Sequence, residues 1–341
     1  MDRDPLTDSP ARRRRARGWA TVKTDRRVEL LLGALAGTLL LFIAAMAITV
    51  FVKAWPSFAH NGLRWFGSGG DVDVQLAAME KNTAIAGHSI YYFRAWPLIW
   101  GTLVTTVASV LIALVVSTLA AIFLTEFAPP SLRRTLDPVI RLLAGIPSVI
   151  YGLIGILVFA PWINEHLISK ARKESVSPVV QLNGANLTTA ILILTVMIVP
   201  IMVAISANAL AAVPQSWREG SAALGINRWR TIWRVSLLTA RPAIIAAAVL
   251  ATARALGEAV MLFMVAGSRA FPANPLDGIT FLLEPVRPLA ATIFEESDGL
   301  TSPVLAHTIY AIGAVLLVSA AMLSLAGWAS KQQLRRFGIR A

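Results

Sequence analysis

Two charged residues, Arg254 and Glu258, stand four positions apart inside a run of apolar residues. On one continuous helix that spacing puts both on the same face. Charges at such depth are costly, so they face a cavity or each other. Two chemistries fit. An arginine fork suits the oxygens of an anion, with Glu258 holding Arg254 in place and tempering its grip so that the anion can leave. Alternatively, the two form a structural ion pair that pins helices together. A second unusual stretch, WREGSAALGINRWRTIW over residues 217–233, places arginines, tryptophans and glycines between two long apolar runs. Other reactive groups are scarce. There is no cysteine, which removes thiol chemistry and disulfides. The histidines His60, His88, His166 and His307 lack ligand spacing such as HExxH. No metal site and no catalytic residue is expected.

The elements that must position these residues are membrane helices. The chain has 341 residues, 56% hydrophobic and 15% charged, against about a quarter charged in soluble domains. The apolar residues gather in runs long enough to cross a hydrocarbon core about 30 Å thick. The net charge is +12. Its basic residues cluster beside apolar runs, which fits topology signals and contact with anionic lipids rather than nucleic acid.

Six spans are expected, at residues 29–52, 98–124, 136–162, 187–213, 242–266 and 304–328. The third is broken by Pro147 together with Gly145, Gly152 and Gly155, which exposes backbone groups that must line protein or water. Residues 1–28 read as a basic cytoplasmic tail with too few apolar groups to fold alone. The first run is long for a cleaved signal and is followed by further spans, so it reads as an uncleaved helix. Its Gly33 and Gly37 form a GxxxG pattern that permits close helix contact. Residues 53–97 form an external connector and 331–341 a second cytoplasmic tail. Arg12–Arg15, Arg133, Arg134, the 214–241 stretch, Arg335 and Arg336 fall on one face, whereas Glu284, Glu295, Glu296 and Asp298 fall on the other. The positive-inside rule therefore puts both termini in the cytoplasm. The sequon Asn186-Leu187-Thr188 reads as chance.

Within 214–241, Ser216 reads as a helix N-cap with Glu219 as its capping-box partner. Gly225 reads as the helix stop. A second, amphipathic helix over 226–238 follows. Helix, glycine turn and helix at a cytoplasmic surface make either a docking knob or an interfacial lipid-binding element.

Glu219-Gly220-Ser221-Ala222-Ala223-Leu224-Gly225, followed by Val235-Ser236-Leu237, resembles the EAA loop of ABC importer permeases. Gly220 and Ser221 replace the two alanines, and Leu238 stands where that pattern has proline. The resemblance implies that this helix fits a cleft on a separate ATPase and transmits its motion. This chain carries no GxxxxGK[ST] phosphate loop.

Two further stretches, residues 141–152 (RLLAGIPSVIYG) and 253–259 (ARALGEA), with Trp100-Gly101-Thr102-Leu103 opening the second span, are similar to phosphate-specific permeases of the PstC type over residues 98–330. The long connector after the first span also fits that type better than its usual partner. The resemblance implies an all-α type I ABC importer permease in a bacterial plasma membrane. Its partners would be a PstA-like permease, two PstB-like ATPase subunits that use ATP and Mg, and an external PstS-like phosphate-binding protein. It also implies that Arg254 and Glu258 line the phosphate pathway, while Glu219, Gly220, Ser221, Ala222, Ala223 and Gly225 couple to the ATPase. The chain itself would bind no cofactor and catalyse nothing. The alternatives are a permease for sulfate or molybdate, a non-transporting scaffold in phosphate signalling, and a membrane-embedded enzyme. The last is disfavoured because no metal, Ser/His or paired-carboxylate motif is present.

Overall fold

The computed structural model describes residues 10–177, 181–270 and 272–336. It has two units, Met1–Val52 and Lys53–Ala341. The fold is all-α: among the described residues the only extended pairing is one isolated bridge between Gly267 and Val286. Six helices among the described residues are long and apolar enough to cross a membrane.

Helix α1, Pro10–Asn61, supplies the first unit and continues beyond it. It starts inside the segment expected to stay unfolded. The reason is propagation: alanine and arginine are good helix formers, and extending an existing helix avoids the cost of a new nucleus. The first nine residues of that expected tail lie outside the described residues, as do residues 337–341 of the other. Leu30, Leu31 and Leu32, successive residues that point to different sides of α1, are all exposed, the pattern of a helix surrounded by lipid. Gly33 and Gly37 face open space, so the GxxxG pattern brings no neighbour close.

In the second unit the external connector is folded. Helix α2, Val72–Glu80, starts at Asp71, whose side chain accepts the Asp73 N–H. Trp65 is fully buried against Phe58, Phe66 and Phe93. Helix α3, Trp96–Ile122, ends in a π-helical turn, Phe123–Phe127. Next come α4 (Pro130–Ala144), α5 (Ser148–Ile154), α6 (Ala160–His166), α7 (Lys170–Val176) and α8 (Leu187–Ala211).

Helix α8 is the core of this unit and packs against α3 and α4. Leu194, Met197, Ile198 and Met202 are buried along it. Small polar residues bring α3 close: Ser109 Oγ donates to the Ile191 carbonyl at 3.1 Å. Thr195 Oγ1 donates to the same carbonyl at 2.7 Å. Such residues are what membrane helix interfaces use for close approach. Asn186 is buried as the N-cap of α8, its Oδ1 accepting the Thr189 N–H at 3.0 Å. A glycan has no room there.

Two expected spans are corrected. The third does not run from residue 136. Pro147, with φ −57° and ψ 138°, separates α4 from α5. Helix α4 is strongly amphipathic, carries Arg133, Arg134 and Arg141, and buries none of its residues. Crossing falls to Ser148–His166, whose 19 residues reach about 28 Å at 1.5 Å per residue. The fifth span is displaced in the other direction. After α9, Gln215–Ala223, and α10, Arg228–Thr231, a π-helical turn at Ile232–Ser236 leads straight into α11, Leu237–Leu256. The spanning helix is Arg228–Leu256. Gly257 ends it, and α12, Val260–Val265, is a separate short helix. Helices α13 (Ile279–Leu283) and α14 (Leu289–Glu295) build the last connector before α15, Pro303–Arg336.

Candidate functional site

The stretch 141–152 runs into α5, which packs against α12, the short helix that follows the stretch 253–259. Gly152 and Gly155 are the reason. A Cβ on Gly152 would lie 2.8 Å from Met264 Sδ and 3.3 Å from Met261 Cα. One on Gly155 would lie 3.1 Å from Ile193 Cγ1 and closer still to Val265. Only glycine lets α5 sit this tightly against α12 and α8. The expectation that these glycines break the helix is therefore corrected. They lie within helical turns and serve packing, while Gly145 and Pro147 make the break.

Arg254 occupies the last turn of α11 and is exposed. Tyr151, a buried residue of α5, donates its hydroxyl across the α4–α5 break to the Leu143 carbonyl at 2.8 Å. Among the described residues no carboxylate pairs with Arg254. The expected pair with Glu258 does not form, because the helix ends at Leu256 and the four-residue spacing no longer defines a face. Glu258 is buried after the break. Its Oε1 accepts the Met261 N–H at 3.4 Å, at the start of α12, where a carboxylate complements the unpaired amides of a helix N-terminus. The geometry separates the two roles: an exposed cation in the last turn of one helix, and an acidic cap on the adjoining helix. Tyr151 lay inside a quoted motif but carried no signal of its own, since a tyrosine in an apolar run reads as packing.

The coupling stretch forms the expected helix–turn–helix with a different start. Pro214 occupies the N-cap of α9 and no side chain caps it. Ser216 is already within the helix, and Glu219 Oε1 accepts from Gln215 Nε2 at 2.9 Å instead. Gly225 has φ +74°, the left-handed turn expected of it. Its N–H donates to the Ala222 carbonyl at 2.9 Å, and the Ile226 N–H donates to the Ser221 carbonyl at 3.2 Å. Asn227 Oδ1 then caps α10 through the Arg230 N–H at 2.8 Å. The hydroxyls of Ser221 and Thr231, 2.7 Å apart and buried, tie α9 to α10. Ser221 thus faces inward. Glu219, Gly220, Ala222, Ala223 and Gly225 are exposed beside Leu224 and Trp229, leaving a small-residue surface to meet a partner.

A third cluster had no local signal. Arg287, buried at 3% exposure, meets Asp73 at 2.7 Å, Glu295 at 2.9 Å and Glu296 at 2.5 Å. Glu295 and Glu296 follow Arg287 by eight and nine residues, a spacing with no motif, and Asp73 lies 214 residues away. They fasten α2 to the end of α14.

Nearby, Glu284 is buried, its Oε2 has no hydrogen-bond partner, and its backbone carbonyl accepts the Leu187 N–H at 2.9 Å. Burial pushes its carboxyl above the ordinary value of 4.5, and Asp277 adds to the effect. A carboxyl raised in the folded state contributes stability below its unfolded value and loses it as pH rises through its folded value. The melting temperature of the purified protein is therefore expected to fall as pH rises from about 4.5 through the raised value, and Glu284→Gln to flatten that slope. Glu295, also raised by burial, contributes in the same direction. An unchanged slope in Glu284→Gln would remove Glu284 from this account.

Residues 117–331 match the family described as binding-protein-dependent transport system inner membrane component. The probable ABC transporter permease protein YqgH of Bacillus subtilis is 36% identical over 288 residues, covering 83% of this chain and 84% of its own. The phosphate transport system permease protein PstC 1 of Mycobacterium tuberculosis is 36% identical over 239 residues, covering 67% of this chain and 69% of its own. A solved bacterial ABC transporter involved in import of the acidic polysaccharide alginate shares the fold. Its TM-score is 0.51 at 17% identity, over 94% of this chain and 99% of that one. The matched region holds α5 to α12, and so includes both the Arg254 site and the Gly225 turn. The chain belongs to the binding-protein-dependent inner-membrane transport components, the permease subunits of ABC importers, and among them to the PstC type.

Proposed function

We propose that this chain is the permease subunit of an ATP-driven importer of inorganic phosphate. It would form the membrane pathway with a PstA-like permease, receive phosphate from an external PstS-like protein, and be driven by two PstB-like ATPase subunits that use ATP and Mg. The chain catalyses nothing itself. Both termini lie in the cytoplasm of a bacterial plasma membrane, on the arginine-rich side. The exposed Arg234 and Arg241 at the start of the fifth span suit anionic lipid headgroups.

The observation that carries the reading is Arg254 in the last turn of α11, exposed and free of any carboxylate among the described residues. A surface on this chain that is open toward a second permease is what a shared pathway needs. An unpaired guanidinium offers a planar set of donors to an oxyanion.

Uptake of radiolabelled phosphate in a strain lacking this chain tests the proposal. Phosphate uptake is expected to fall and to return with the plasmid-borne chain, while sulfate and molybdate uptake stay unchanged. Selective loss of sulfate or molybdate uptake would replace the substrate. Normal phosphate uptake with an altered starvation response would favour a signalling scaffold.

A further inference from the structure

Arg218 lies on α9, one residue before Glu219. Its Nη2 donates to the Leu210 carbonyl, in the last turn of α8, at 2.7 Å. The same nitrogen lies 3.2 Å from Glu126 Oε1. Glu126 belongs to the π-helical turn that ends the second span. The Glu126 side chain is only 8% exposed and that of Arg218 25%. A second contact joins the same two parts: the Arg228 guanidinium carbon lies 4.7 Å above the Phe127 ring. Adjacent residues of one π turn thus receive one arginine from each arm of the coupling helix–turn–helix.

The chain's only covalent routes out of the knob lead into α8 and into α11. Nothing covalent nearby leads into α3, yet α3 packs along α8 and α11 in the membrane. The π turn has a defined effect here. Its Ala128 N–H reaches back to the Phe123 carbonyl at 2.8 Å. The extra residue in the turn is a costly feature that recurs at functional sites. The knob's own exit into the fifth span also passes through a π turn, Ile232–Ser236.

The character of the ion pair matters too. Arg218 Nε is buried without an acceptor, so the contact is one charge against another and not a bidentate fork. A fork fixes an angle. A single buried charge contact holds distance while allowing rotation.

We propose that Arg218 and Glu126 form a tether that pulls the second span when the coupling knob moves. Arg218 is thereby a positioning residue for energy transfer. The inference rests on the coupling role proposed above for residues 219–225.

The test uses the assembled complex in lipid vesicles. The chain has no cysteine, so spin labels placed at Leu103 on α3 and Leu317 on α15 are unique when the other subunits carry no reactive thiol. The label distance is read without nucleotide and with ATP and Mg trapped. The wild type is expected to show an ATP-dependent shift. Arg218→Gln and Glu126→Gln are expected to lose it while still retaining the ATPase subunits, and uptake per ATP hydrolysed should fall about tenfold, within the usual range for coupling between sites. Arg218→Lys keeps the charge and should keep most of the shift, which guards against a variant that merely folds poorly. An unchanged shift in both Gln variants would overturn the tether. So would a wild-type complex in which ATP moves the knob but leaves α3 still. The label readout does not depend on the transported ion, so a wrong substrate would appear separately, as an intact shift without phosphate uptake.

Discussion

Arg254→Gln is expected to lower phosphate uptake about 100-fold, the worth of one strong charge-assisted contact, with the complex still assembling. The structure makes this sharper than the sequence did. A buried arginine paired to Glu258 would have left a stranded charge behind on mutation, at a cost of about 3–5 kcal/mol. Arg254 is instead exposed and pairs with no carboxylate among the described residues. Its replacement therefore costs stability only as a surface change does, within about 0.5 kcal/mol. Glu258→Gln follows another path. It weakens the carboxylate acceptor at the start of α12, a loss of about 1 kcal/mol. Its uptake should fall modestly, through a misplaced α12, and not through a freed arginine. Changing both residues to Gln should look like Arg254→Gln alone. The quantity to measure is uptake per assembled complex in all three. Normal uptake in Arg254→Gln, or recovery in the double variant, would remove Arg254 from the pathway and return it to a structural role.

That revision shows where the sequence was legible. The fourth span, expected at residues 187–213, is Leu187–Ala211, because a long apolar run bounded by Asn186 and Pro214 has one reading. The second and sixth spans were equally clear. The third was not. Leu136, Val139, Ile140, Leu142 and Leu143 look like the start of a crossing, and hydropathy cannot tell an amphipathic surface helix from one when the two adjoin. The break at Pro147 was visible; that it begins the span was not. The fifth span was misplaced for a related reason. Trp229, Ile232 and Trp233 were assigned to a separate helix, yet no glycine or proline stops the chain between Arg228 and Arg241.

The site divides along the same line. Gly225 was legible because only a few residues accept a left-handed turn. The Arg254–Glu258 pair was misread because Gly257 was counted as part of a helix that it ends. Arg287, Arg218 and Glu126 were invisible. Glu126 and Asp73 are distant in sequence from the arginines they meet, Glu295 and Glu296 stand at a spacing no motif marks, and burial of a charge is a tertiary fact.

Gly225→Val tests the coupling surface itself. The turn has φ +74°, and a β-branched residue there costs about 1–2 kcal/mol. A Cβ at this position meets nothing within 4 Å, so the whole penalty is backbone strain and not a clash. The chain relieves it by giving up the left-handed turn, which breaks the Gly225 and Ile226 N–H bonds to Ala222 and Ser221 and carries α10 away from α9. The Ser221–Thr231 hydroxyl contact goes with it. The change is confined to the knob and to the first turn of the fifth span, so the protein should insert and accumulate, while stimulation of ATP hydrolysis and uptake are lost together. Gly225→Asn separates turn geometry from bulk, because asparagine tolerates the left-handed region. It should keep most activity if the turn alone is required. If the exposed small-residue surface must also lie flush against an ATPase, Gly225→Asn should fail as Gly225→Val does, with α9 and α10 still in register. Full coupled activity in Gly225→Val would mean that the knob does not drive transport.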